Sequence, residues 1–233
     1  MSFLSIVSML QLYTMIPKII WQTHEADYDN LPSHVKEISG TWKVLNPNYK
    51  YVYMNSIQRK QYVLDNYPNL IKLYENVDKP YQADIWRYAI TYDNGGVYAD
   101  MDSICLFSLD NFWKNLYNDQ EVICTDIEIY FNENRINNAN FAAKKNSTIL
   151  KNILDNLELI SKSDLLIFGP DIFQKHLFKN KDKVLFAMSM ACAHGESFKH
   201  GLERLGSKEN YIVNYLGDFT TYHKVLEKNK NDS

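Results

Sequence analysis

The sequence predicts an α/β protein with a mainly parallel central sheet flanked by helices, and three observations predict it. Strand-like apolar runs alternate with amphipathic helical runs through the first half of the chain, the order that builds a sheet covered by crossover helices. Hydrophobic residues make up 45% of the 233 residues, enough for one sizeable core. No linker, internal repeat or low-complexity tract divides the chain. Residues 1–233 are therefore read as a single domain, with a helix expected over 1–16 and a frayed polar tail at 227–233.

The elements follow in order. Pro17 closes an uncharged run from Phe3 to Ile16, and Lys18 to Thr23, "KIIWQT", reads as a short buried strand rich in β-formers. Val35, Ile38, Trp42 and Leu45 recur at helical spacing over Leu31 to Leu45, with Ser33 as the expected N-cap and "NPN" at Asn46 to Asn48 as the stop. Tyr49 to Met54 is a second strand, and helices are expected over Ser56 to Asn66 and Pro68 to Asn76. Tyr81 to Asp93 is the next helix; the Asn94-Gly95-Gly96 turn ends it and leads into an apolar strand that finishes in two acids. Further on, strands are expected at Ser103 to Phe107, Glu121 to Ile127 and Asn140 to Lys145. Helices are expected at Leu109 to Leu116 and Ser147 to Ser161, the second with Ile149, Ile153, Leu157 and Ile160 on one side.

Composition excludes some functions. A net charge of −3 and a pI near 6.1 leave no basic surplus for a phosphate backbone, so nucleic acid is not an expected partner. The uncharged N-terminal run is shorter than the ~20 residues of a membrane-spanning helix and lacks a basic leader region. The expected location is the cytoplasm or the periphery of a membrane, with a secretory lumen left open; the Asn146 glycosylation triplet matters only there. Cys105, Cys124 and Cys192 have no paired spacing and read as reduced thiols.

The chemistry concentrates in Ala83 to Asp102, "ADIWRYAITYDNGGVYADMD". On an extended chain, Asp100 and Asp102 project to one side, where two carboxylates suit a hard divalent cation such as Mn²⁺ or Mg²⁺ and a diphosphate completes its shell. Asp84 and Arg87 lie three apart on one helix face. Alone they read as a surface ion pair worth a few tenths of a kcal/mol, about what such pairs contribute. Beside the two acids, a carboxylate and a planar five-donor guanidinium are suited to grip vicinal sugar hydroxyls.

Together with "IPKIIWQT" and the later "FGP", this segment resembles the DXD-motif glycosyltransferases of the initiating α-1,6-mannosyltransferase type, which include α-1,4-galactosyltransferases and capsular transferases and are distantly similar to clostridial toxin glucosyltransferase domains. The resemblance spans roughly Ile16 to Pro170. It implies a GT-A, Rossmann-like fold, a UDP- or GDP-linked sugar donor, a glycan or glycoprotein acceptor, Mn²⁺ or Mg²⁺, and transfer of a hexose or N-acetylhexosamine with retention. By motif it assigns Asp84 and Arg87 to donor-sugar hydroxyls and Tyr98 to the side of the donor. Asp102 becomes the firmer metal ligand, with Asp100 between ribose, sugar and a metal-bound water. Trp21 matches the aromatic that stacks on the base, or else a core residue of the first strand. Asn138 matches an asparagine that reaches the sugar or acceptor, or else a loop amide. Gly169 and Pro170 match a pair that shapes the acceptor wall. The family's C-terminal histidine motif is missing, so the third ligand is His194, His223 or neither.

Two other classes stand beside this one. A phosphohydrolase built on DxD is disfavoured, because the motif lies mid-chain after a Gly-Gly turn and continues as Ser103-Ile104. A non-catalytic or hydrolysis-only nucleotide-sugar-binding protein is the alternative that the missing C-terminal motif supports.

Overall fold

The computed structural model describes residues 15–105, 108–110, 120–124, 127–130, 133–159, 169–186 and 191–192. The expected helix at 1–16 falls almost entirely outside them, as do most of Leu109 to Leu116, the tail at 227–233, His194 and His223.

A six-stranded sheet forms the centre. Its strands are β1 (Ile19–Thr23), β2 (Lys50–Met54), β3 (Gly96–Ala99), β5 (Val122–Cys124), β8 (Asn140–Ala143) and β9 (Val184–Phe186), in the order β2-β1-β3-β8-β5-β9. β2, β1 and β3 pair in parallel, as do β5 and β9; β8 runs antiparallel to both its neighbours. β4 (Ile104–Cys105) pairs with β10 (Ala191–Cys192), and β6 (Ile127–Tyr130) forms a hairpin with β7 (Glu133–Ile136). The helices are α1 (Ser33–Leu45), α2 (Ser56–Asn66), α3 (Ile71–Asn76), α4 (Lys79–Asn94), α5 (Thr148–Leu159) and α6 (Pro170–Lys179).

Strand alternation sorts the core into two layers. Ile20, Val97, Ala99, Ile123 and Ala142 face α1, where Ile38 and Trp42 are buried. Trp21, Tyr98, Phe141 and Ala143 face the opposite layer, with Ile85 and Trp86 of α4, Ile149 and Ile153 of α5 and Phe173 of α6. The expected α/β architecture is thus a helix–sheet–helix sandwich, and among the described residues no helix is long and apolar enough to cross a membrane.

Two local expectations need correction. Ser33 is the first residue of α1 and not its cap: Pro32 occupies the N-cap in extended geometry, and its carbonyl accepts from the Val35 and Lys36 amides. A proline with fixed φ suits this entry, so no side-chain oxygen is needed. The strand expected over Glu121 to Ile127 is two separate strands, β5 in the main sheet and β6 in the hairpin.

Candidate active site

The site is built where α4 lies back along β3. Pro80 sits in the first turn of α4, where a missing N–H costs nothing, and Gly95 ends the helix at φ 66° with its amide on the Thr91 carbonyl. A side chain cannot replace Gly95, because a Cβ would meet Pro17 Cδ at 2.6 Å and the Lys145 nitrogen at 2.7 Å. This reversal brings two distant sequence positions level. Arg87 lies eight residues back in a helix, about 12 Å at 1.5 Å per residue. Tyr98 and Ala99 lie three and four residues forward in a strand, about 10–13 Å at 3.3 Å per residue, and Asp100 follows directly.

Arg87 is the hub. Its Nη2 lies 3.2 Å from Asp84 Oδ1 and 3.2 Å from Asp100 Oδ1, and its Nη1 donates to the Asn138 carbonyl at 2.7 Å. Its Cζ stands 4.4 Å from the centre of the Tyr98 ring. Burial disfavours the charged guanidinium; Asp100, with Tyr98 and Asp84, outweighs it and holds the Arg87 pKa above its ordinary value. With Asp84 and Arg87 each 6% exposed, the pair is an interior one, unlike the surface pair that spacing alone suggests.

Asp100 is held through its backbone as well as its carboxyl. Its amide donates to the Ala139 carbonyl, while its own carbonyl accepts from the Ser103 amide and from Gln22 Nε2 at 3.0 Å. The Tyr98 hydroxyl donates to Oδ1. Burial pushes the Asp100 carboxyl up, opposed by Arg87 and by the Tyr98 hydrogen bond, while Asp102 and Asp84 push it further up. Burial likewise keeps the Tyr98 phenol protonated, with a pKa raised well above the ordinary tyrosine value.

Asp102 differs from the strand-based expectation. β3 ends at Ala99, and Asp102 lies in the turn closed by the Ser103 amide on the Asp100 carbonyl, exposed to solvent. Its direction is set by that turn and not by strand alternation. The ionic groups are three carboxylates, Asp84, Asp100 and Asp102, against one guanidinium. Carboxylate oxygens are the donor type that hard divalent cations take, and Asp100 and Asp102 are the two that could contribute here, Asp102 being open to solvent. Among the described residues no group of three or more His, Cys, Asp or Glu side chains is arranged to hold a metal ion.

Asn138 joins the same cluster: its Nδ2 donates to Asp84 Oδ1 at 2.8 Å and to the Tyr88 hydroxyl at 2.6 Å. Gly169 closes one side at φ 70°, so near that a Cβ would lie 2.8 Å from Asp84 Oδ2. Trp21 stands apart. It is 5% exposed, packed in the α4 layer, with its indole N–H on the Gly95 carbonyl at 2.8 Å. In this arrangement it braces the Gly-Gly turn. A cavity of about 390 Å³ between α2, α3 and the start of α4, lined by Glu25, Ser56, Lys60, Tyr74 and Gln82, touches none of the expected site residues.

Sequence reasoning missed Gln22 and Tyr88. Gln22 carried a signal, a fully buried amide inside an apolar strand, here bonded to Asp100 and to the Tyr51 hydroxyl. Tyr88 carried none, because it falls on the apolar stripe of its helix.

Residues 32–122 match the family described as the glycosyltransferase sugar-binding region containing a DXD motif. The chain is 36% identical over 97 residues to a mannosyl phosphorylinositol ceramide synthase of Saccharomyces cerevisiae, covering 41% of this chain and 25% of that protein. It is 32% identical over 105 residues to an initiation-specific alpha-1,6-mannosyltransferase of Candida albicans, covering 42% and 27%. The match thus spans about a quarter of the length of these relatives. Among solved structures, the PaToxG glycosyltransferase superposes with a TM-score of 0.55 at 20% identity over 76% of each chain, which places the architecture among GT-A folds.

Proposed function

We infer that this chain, whose residues 32–122 carry the sugar-binding region of the DXD-motif glycosyltransferases, moves a hexose or N-acetylhexosamine from a UDP- or GDP-linked donor to a glycan or glycoprotein acceptor. The carrying observation is the buried Asp84–Arg87–Asp100 cluster with the exposed Asp102 at its mouth. Such a cluster is poorly explained by stability, because buried ion pairs seldom repay their desolvation. It is well explained as a preorganised receptor for polar ligands.

Within the proposed reaction the residues divide the work. Asp102 and Asp100 would hold Mn²⁺ or Mg²⁺, which when bound offsets the charge that develops on the leaving diphosphate. The buried Nε–H of Arg87 has no partner among the described residues and is a donor left for the donor sugar. Asp84 offers its Oδ2 to a sugar hydroxyl, since Oδ1 is engaged by Asn138. Tyr98 keeps Asp100 oriented. None of these side chains needs to serve as a nucleophile in a retaining transfer in which the acceptor hydroxyl attacks from the leaving-group face and the departing phosphate takes its proton. The yeast relatives, named as mannosyl-transferring enzymes, put mannose first among the sugars to test.

The reading is tested by incubating the protein with Mn²⁺ and a panel of UDP- and GDP-hexoses, following nucleoside diphosphate release and sugar transfer to oligosaccharide acceptors. Turnover with one donor, reduced at least 100-fold in Asp102→Asn, is the expected result, on the scale of losing a group that acts in the transition state. Hydrolysis with every acceptor refused would instead favour the hydrolysis-only alternative.

A further inference from the structure

We propose that Tyr88 is a positioning residue that fixes which end of the Asn138 side-chain amide faces the ligand, and that it does so by reading the polarity of the Gly169 carbonyl. The inference rests on the sugar-transfer reading of the site and extends it to a residue that touches no substrate.

Donor and acceptor capacity decides the orientation of the amide. A backbone carbonyl only accepts, so the Tyr88 hydroxyl, 2.9 Å from the Gly169 oxygen, must donate to it. Its remaining capacity toward Asn138, at 2.6 Å, is then that of an acceptor, which requires an amide hydrogen and not the amide oxygen. An ionised Asp84 carboxylate is likewise acceptor-only and takes the second amide hydrogen at 2.8 Å. Both hydrogens of Nδ2 are spoken for, and Oδ1 is the end left to receive a sugar or acceptor hydroxyl. Burial keeps the phenol from ionising, so Tyr88 cannot surrender its donor role near neutral pH.

The ring is held as firmly as the hydroxyl. Tyr88 is fully buried, stacks on Phe173 of α6 at 5.8 Å and 18°, and lies 6.3 Å from Phe141 of β8. The hydroxyl therefore ties α4, the Asn138 segment and the start of α6 into one unit, across the glycine that abuts Asp84. Without it, both amide orientations lose their distinction on the Tyr88 side, and the Gly169 carbonyl loses a buried partner.

The experiment is a double-mutant cycle on turnover, with Mn²⁺-dependent nucleoside diphosphate affinity measured by calorimetry on the same proteins. Tyr88→Phe keeps the ring stack; it is expected to lower kcat about 10-fold while leaving diphosphate affinity within twofold, the range seen when a supporting partner is removed. In an Asn138→Ala background the same change is expected to cost nothing further, because the residue acts through that amide. An undiminished kcat in Tyr88→Phe, or an equal further loss in the Asn138→Ala background, overturns the inference while the transfer reading stands. Wild-type protein that neither binds the diphosphate nor turns over any donor overturns both. A second readout stands even if the phenylalanine variant does not fold: in wild-type protein the Asn138 side-chain amide protons should be resolved and protected from solvent exchange by ¹⁵N NMR. Rapid exchange of those protons contradicts a locked amide.

Discussion

At the scale of single residues, the site depends on close approach as much as on charge. Gly169 sits at φ 70°, where an added Cβ would lie 2.8 Å from Asp84 Oδ2. Gly169→Ala is expected to cost about 1–2 kcal/mol in left-handed backbone strain alone, and to push Asp84 out of line with Arg87. Urea denaturation should show the lost stability, and donor turnover should fall by more than the stability loss accounts for. Arg87, Asp84, Asp100 and Asp102 were legible in the sequence because each is a charged residue at a meaningful spacing inside an apolar or glycine-rich frame. What spacing could not supply was depth. Only the fold shows that the Asp84–Arg87 pair is interior, that the Trp21 indole N–H bonds the Gly95 carbonyl, and that a tyrosine on an apolar helix stripe turns its hydroxyl to Asn138 and Gly169.

At the scale of elements, two charged groups hold helices in place. Glu121, just before β5, caps the start of α5: its carboxylate accepts from the Thr148 amide at 2.6 Å, from the Thr148 hydroxyl at 2.8 Å, and pairs with Lys183 at 3.1 Å. Burial would raise its pKa, but the hydrogen bonds from Thr148 and Lys183 win and hold it below the ordinary value of 4.5. Its contribution is therefore present above pH 4.5 and is lost as pH falls through the depressed value. Glu121→Gln should cost about 1 kcal/mol at pH 7, a typical cap loss, and the gap from wild type in urea midpoint should narrow in acid. His176 on α6 is 5% exposed with Nε2 unpartnered among the described residues; burial, with Lys179 and Lys175, lowers its pKa. Its unprotonated form is favoured in the fold, so its contribution is present above the ordinary value of 6.5 and is lost as pH falls through the lowered one. Melting temperatures between pH 7.5 and 5 should decline less in His176→Phe than in wild type. Helices α1 to α5 were readable from their 3.6-residue periodicity to within a few residues, because that signal is local; α6 (Pro170–Lys179) was not among the expected elements. The cap on α5 was not, since it comes from a residue 27 positions away.

At the scale of the whole molecule, the sheet order places β3 in the interior of the sheet, with α4 on one face and α1 on the other, so the DXD turn emerges from a strand paired on both sides. The parallel β2-β1-β3 half followed from strand–helix alternation. The antiparallel insertion of β8 between β3 and β5 did not, because that pairing joins segments more than 40 residues apart by backbone hydrogen bonds that leave no periodic trace. Yet β8 delivers Asn138, just before its first residue, to the site. The central claim, that this interior scaffold presents Asp100 and Asp102 as a receptor for a cation and a diphosphate together, is a statement about linkage between two ligands. It is tested most directly by thermal melting of the protein with UDP or GDP, with and without Mn²⁺. A ligand near 100 times its Kd adds about 2.7 kcal/mol to a native state it binds selectively, a shift of several degrees for a chain of this size. That shift is expected with one nucleotide plus Mn²⁺, with no shift in EDTA and none in Asp102→Asn. An equal shift in EDTA, or an undiminished one in Asp102→Asn, would contradict it.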